Sequence, residues 1–128
     1  MKSLRLATGG ALAALLLVTQ GCANPTYRIA GYLWTPDPSS PTCKTVVWRQ
    51  VEPPRVPGLC MDQEGHVPSE KASCALGCVV ISPLSEDEAR HRMIYGESLY
   101  EHEARHVLER LVHPRVDPKT GATWTARM

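Results

Sequence analysis

The stretch His102-Glu103-Ala104-Arg105-His106 decides how the rest of the chain is read. It lies between Tyr95-Gly96-Glu97-Ser98-Leu99-Tyr100-Glu101 and Val107-Leu108-Glu109-Arg110-Leu111. On a helix, residues four apart stand one above the other, so His102 and His106 can present two imidazole nitrogens to one metal ion. Glu103 projects beside them. This is the spacing of a zinc site in which two histidines hold the ion and the intervening glutamate takes a proton from water on the metal.

The flanking residues support the helix that this reading needs. Tyr100, Ala104, Val107, Leu108 and Leu111 recur at a 3.6-residue period and form one apolar stripe. Ser98 is a natural cap and Pro114 forbids continuation, which predicts a helix over about 98–112. At about 100° per residue the stripe centres on Leu111, and His102 and His106 fall nearly opposite. Two readings of that placement stand. Either the histidines belong to a solvated face with Glu101, Arg105, Glu109 and Arg110, or the stripe anchors the helix while the histidines line a cleft. Three of the five histidines, His102, His106 and His113, fall within twelve residues, which favours ligands.

The chain starts with the basic segment Met1-Lys2-Ser3-Leu4-Arg5, followed by an Ala- and Leu-rich run from Leu6 to Val18. Such a run is too short for a spanning helix and reads as an export signal. It closes at Val18-Thr19-Gln20-Gly21-Cys22, which resembles the lipobox of bacterial lipoproteins, with Thr19 where those proteins usually carry Leu. The resemblance implies cleavage before Cys22 and lipidation of that residue, so that the fatty acyl chains tether the protein to a membrane. Ala23 stands where retention at the inner membrane usually needs Asp. The implied location is therefore the outer membrane, facing the periplasm.

A mature chain of residues 22–128 suffices for one modest domain with a small core. The 14 Lys and Arg nearly balance the 13 Asp and Glu, and Lys2 and Arg5 belong to the leader. With no basic block, nucleic acid is not an expected partner. Beyond Cys22, four cysteines remain: Cys43, Cys60, Cys74 and Cys78. In an exported chain they imply two disulfides, with three connectivities open. Metal binding by Cys74 and Cys78 is the alternative, although their spacing is wider than the usual zinc-binding pair.

Seven prolines between Asn24 and Gly58 predict extended segments broken by turns. Tyr27 to Trp34 is a candidate short strand, and Lys44 to Val51 a better one because it is rich in β-branched and aromatic residues. Met61 to Ser73 reads as a loop. Cys78-Val79-Val80-Ile81-Ser82, closed by Pro83, reads as a buried or edge strand. Ser85-Glu86-Asp87-Glu88 then looks like the capped start of a brief helix, which Gly96 separates from the histidine helix. Asp117 to Ala122 reads as a turn, with a flexible tail beyond it.

This order of strand, short helix and histidine helix resembles the core of zincin metallopeptidases over about Cys78 to Pro114. The resemblance implies an edge strand running along the cleft above the helix, one zinc ion, and Glu103 as general base. A catalytic zinc normally has three protein ligands and a water. At the positions where metzincins carry a glycine and a third histidine, this chain has Glu109 and Val112. His113 comes one residue late. A helix continued through it would leave it about 10 Å along the axis from His106, unless Pro114 turns the chain back. His113 ranks first as third ligand, then Asp117, then an upstream group such as His91, Glu97 or His66. Tyr95 and Tyr100 are candidates for stabilising an oxyanion, as tyrosines do in several zincins.

The fold expected is α+β, with a small antiparallel sheet and Pro-rich loops against one long C-terminal helix and two disulfides as staples. Residues 1–21 would be the signal peptide, 22–42 a flexible tether and 43–128 a small zincin-like domain. The function expected is an exported lipoprotein with a zinc site on His102, His106 and His113 that hydrolyses peptide or protein substrates. The other reading is a non-catalytic, disulfide-stapled envelope lipoprotein that binds a partner protein or a metal.

Overall fold

In the computed structural model, which describes residues 25–116 and 118–128, the polypeptide forms a four-stranded sheet, a three-stranded sheet and a two-stranded hairpin with short helices around them. Strand β1 (Tyr27–Ile29) turns through Ala30 and Gly31 into β2 (Tyr32–Pro36), antiparallel, with Tyr27 opposite Trp34. These strands lie in the stretch expected as a tether. Trp34 makes the difference, because its ring is completely buried and ties the segment into the domain. After β3 (Val47–Gln50), the prolines Pro53 and Pro54 open a 3-10 turn that leads into α1 (Val56–Leu59).

The segment Cys74–Leu76 forms β4, which sequence patterning did not single out, and Val79–Ser82 forms β5. The order is β3-β5-β4, with β3 parallel and β4 antiparallel to β5. Of the two readings of this apolar run, buried or edge strand, the structure has the buried one, and the edge strand implied by the zincin resemblance is instead central. Its buried residues Val80 and Ile81 face two different apolar clusters, and β4 takes the edge. Cys43–Cys78 and Cys60–Cys74 are disulfides, so of the three connectivities left open this is the one adopted.

Helix α2 (Glu86–His91) starts with a complete capping box between Ser85 and Glu88, as its sequence predicts. Two residue pairs, β6 (Met93–Ile94) and β7 (Glu97–Ser98), then form a hairpin through Tyr95 and Gly96. Both turn residues have positive φ, 45° and 95°, the requirement of a two-residue turn that matches strand twist. The hairpin delivers Ser98 to the start of α3 (Leu99–Leu108), where its side chain accepts the Glu101 N–H.

Helix α3 ends well before the 112 expected. Arg110 takes a left-handed φ of 57° and reverses the chain. That conformation is costly for a side-chain-bearing residue. It is held by the Arg110 guanidinium, which donates to Ser40 O at 3.1 Å and Pro38 O at 2.8 Å. The chain then runs as β8 (Leu111–Val116) and β9 (Thr123–Ala126), completing a sheet of order β1-β2-β8-β9. The mixed α+β class and the two disulfides match the expectation; one long C-terminal helix does not. Among the described residues there are three short α-helices, the longest of ten residues, and two strands follow it. The tail expected to be flexible is β9.

Candidate metal centre

Helix α3 carries His102 and His106 on one face, and the reversal at Arg110 brings β8 back along the helix so that His113 meets them. The three residues are 1%, 0% and 3% exposed, so the histidine face predicted to be solvated or to line a cleft is closed. The cover is aromatic. Trp34 lies 4.8 Å from the His102 and His106 rings and 4.1 Å from His113, centroid to centroid, and Tyr32 lies 4.4 Å from His102. The predicted apolar stripe is only partly buried: Val107 packs on Ala75 and Val80, while Leu108 stands 47% exposed.

The hydrogen bonds assign the protons. His106 Nδ1 lies 2.7 Å from Leu111 O, and His113 Nδ1 lies 2.7 Å from Leu33 O. A carbonyl only accepts, so both Nδ1 atoms carry the hydrogen. His102 Nδ1 donates in the same way to the Glu97 carboxylate at 3.2 Å. Burial lowers all three pKa values, that of His113 to about 4, which keeps the rings neutral at neutral pH. In a neutral ring with hydrogen on Nδ1, Nε2 is a bare lone pair.

Those three lone pairs converge. His102 Nε2 and His113 Nε2 are 3.1 Å apart, and the candidate ligand atoms of the three residues all lie within 4.8 Å of one another. A fourth acceptor joins them, because the main-chain oxygen of Met128 lies 2.9 Å from His102 Nε2 and 3.2 Å from His106 Nε2. With hydrogen on each Nδ1, the three Nε2 atoms and this oxygen are all electron-pair donors, whereas hydrogen on His102 Nε2 would let that ring donate to Met128 O. A cation resolves the first of these arrangements, and the buried His102–His106–His113 group could hold a metal ion.

One carboxylate beside the centre orients a ligand ring. Glu97, 5% exposed, receives the His102 Nδ1–H and a short hydrogen bond from Arg105 Nη1, and Arg105 Nε also reaches Glu109 at 3.1 Å. Glu97 therefore positions a ligand, a different role from the ligand role considered for it. Glu103 is 1% exposed, and its Oε1 has no hydrogen-bond partner. Burial, reinforced by the Glu97 charge, raises the Glu103 carboxyl well above the ordinary range.

The other candidates lie apart. His66 sits in a loop, bound to Asp62 at 2.8 Å and stacked on Trp124, in an exposed group with Glu64. His91 is exposed at the end of α2, and Asp117 lies outside the described residues, as does Cys22. Tyr95 is 74% exposed and packs on Tyr32, while Tyr100 stacks on Trp48 beneath Arg90, so neither ring meets the three imidazoles. Tyr32, which does, was not foreseen; the aromatic residues of the predicted strand Tyr27 to Trp34 were the available signal. Comparison with family models, with curated proteins and with solved structures finds no match, so the chemistry of the centre must be argued from its own geometry.

Proposed function

We propose that the chain is an exported lipoprotein, held by lipid on Cys22 at the bacterial outer membrane, whose centre holds one zinc ion and hydrolyses peptide bonds. The observation that carries the metal is the convergence of three buried imidazoles, each also held through its Nδ1. Zinc favours imidazole ligands at about 2.0–2.1 Å, so tetrahedral neighbours lie about 3.4 Å apart. The 3.1 Å between His102 Nε2 and His113 Nε2 is close to that spacing. Three histidines are also the protein ligand count of a catalytic zinc, whose fourth position is here the one that Met128 O faces.

Bound zinc in such a site supplies a Lewis acid and a water of lowered pKa. The chain's own residues supply the rest. His102, His106 and His113 hold the ion, and Glu97 fixes the His102 tautomer. Glu103, beside His102 on α3, accepts the proton of the attacking water and passes it to the leaving amine. A second reading is favoured by one observation: Met128 O stands at the fourth corner of a buried site, as a structural zinc would require. In that reading the protein is a binding lipoprotein of the envelope.

The test is elemental analysis of periplasmically expressed protein. About one equivalent of zinc is expected, lost in His106→Ala with the fold verified by circular dichroism. Glu103→Gln should keep the zinc and abolish hydrolysis of a peptide library. Zinc with no hydrolysis in the wild type would support the structural reading, and no zinc in the wild type would refute both.

A further inference from the structure

The strongest feature left unexplained is how Met128 reaches the histidines. Three independent contacts hold the segment Arg127–Met128 in place. First, Ala75 N–H donates to Arg127 O at 2.8 Å. Ala75 is the middle residue of β4, at the edge of its sheet, and an edge strand accepts an extended chain through such main-chain bonds. Second, the Met128 side chain packs on the cluster of Val51, Val56, Cys60, Cys74 and Ile81. Third, the Arg127 guanidinium donates to Ser40 Oγ and lies 3.4 Å from the Asp37 carboxylate. Burial works against the charge on Asp37, but hydrogen bonds from Ser39 and Ser40 together with Arg127 hold its carboxyl below the ordinary range, so it is an anion at neutral pH.

The fit is incomplete, which separates this segment from ordinary core. Arg127 Nε is buried without a hydrogen-bond partner. A cavity of about 350 Å³, bordered by Asp37, Asp62, Leu76, Thr125, Arg127 and Met128, runs beside the segment. One main-chain hydrogen bond to an edge strand, a main-chain oxygen beside the imidazoles, an apolar side chain against the core and a basic one on a carboxylate together resemble a bound peptide.

We propose that Arg127–Met128 is an intramolecular occupant of the peptide cleft. The cleft then selects an extended peptide with a basic side chain facing Asp37, followed by an apolar one in the pocket beside the Cys60–Cys74 disulfide. The inference rests on the zinc reading above and deepens it by naming the substrate class. Occupancy by the chain's own segment lowers the apparent affinity of any ligand by the fraction of molecules in which the cleft is free.

The full-length protein is loaded with cobalt(II), a spectroscopic stand-in for zinc, and titrated with acetohydroxamate, a small chelating probe, following the visible spectrum. Arg127→Glu places a carboxylate against Asp37 and should raise the probe's affinity about tenfold or more over wild type. Asp37→Asn, at a position away from the core, should raise it less and serves if Arg127→Glu fails to fold. A synthetic peptide Thr-Trp-Thr-Ala-Arg-Met should compete with the probe in Arg127→Glu, whereas the same peptide with Glu for Arg should not. Equal probe affinity in all metal-loaded proteins, or failure of both peptides to compete, overturns the proposal and leaves the metal reading standing. Failure of every protein to take up metal overturns the metal reading and this proposal with it.

Discussion

Glu97→Gln tests the centre through a group that touches no metal position. His106 and His113 lean on the main-chain carbonyls of Leu111 and Leu33, which side-chain substitution leaves in place, whereas His102 leans on the Glu97 carboxylate. Glu97 serves two donors, His102 Nδ1–H and Arg105 Nη1–H, with one oxygen each. Glutamine has the same size but one oxygen, so its NH2 must face one of those donors at a site 5% exposed. Loss of such an outer partner costs about 10- to 100-fold in metal affinity, or about 1.4–2.7 kcal/mol. The assay is competition for zinc against a chromophoric chelator at neutral pH, with unfolding of the metal-free protein measured in parallel. A merely structural role would lower the melting temperature and leave the zinc affinity of the folded protein alone. A change in affinity smaller than about twofold would refute the argument that Glu97 orients a ligand.

Two further outcomes follow from the core. The cysteines of the disulfides are 35 and 14 residues apart, so chain entropy predicts a loss of about 4 kcal/mol for Cys43→Ser/Cys78→Ser and about 3 kcal/mol for Cys60→Ser/Cys74→Ser in denaturant melts. The reverse order would show that native-state packing outweighs loop length. Trp34→Ala removes a fully buried ring and should cost about 3–5 kcal/mol and admit water to the histidines; a loss under about 1 kcal/mol would contradict its place as their cover.

Local chemistry was legible in the sequence where the signal was local. The capping box at Ser85, the cap at Ser98 and the helical spacing of His102 and His106 all rest on interactions within one or two turns, and the structure contains them. The end of α3 was not legible, because the period continues through Leu111 while the stop is made by Arg110 in a left-handed conformation, held by carbonyls about seventy residues earlier. His113 was named for its type and nearness, yet only that reversal, with strand pairing in place of a continued helix, puts it beside His102. The helical wheel set the histidines opposite a stripe centred on Leu111, but Leu111 lies in β8 and its carbonyl meets His106 Nδ1. Nor could the wheel show that Trp34, from a strand expected in a tether, would cover the histidines. Met128 had no signal at all, since its contribution is a main-chain oxygen delivered by tertiary structure.

The distribution of apolar residues gives the centre a second significance. Both apolar clusters, Val51, Val56, Cys60, Cys74 and Ile81 on one side and Ala75, Val80 and Val107 on the other, belong to the β3-β5-β4 sheet and the helices on it. All four paired cysteines flank or lie in the same part of the chain. Among the described residues the β1-β2-β8-β9 sheet has no comparable cluster; it presents Trp34 and His113 to the histidines of α3. In a domain this small, apolar burial alone leaves little margin, and a metal ion commonly supplies the remainder. The three imidazoles come from α3 and β8, their Nδ1–H groups reach β7, Leu111 and β2, and Met128 closes from the end of β9. An ion at that point would join one whole sheet to the helix that the other sheet carries. Without it, the same junction is made only by the contacts of His102 Nε2 with His113 Nε2 and Met128 O and of His106 Nε2 with Met128 O. On this reading, ligand binding at the centre and the docking of the two halves are the same event, and the displaceable segment at Met128 acts on both.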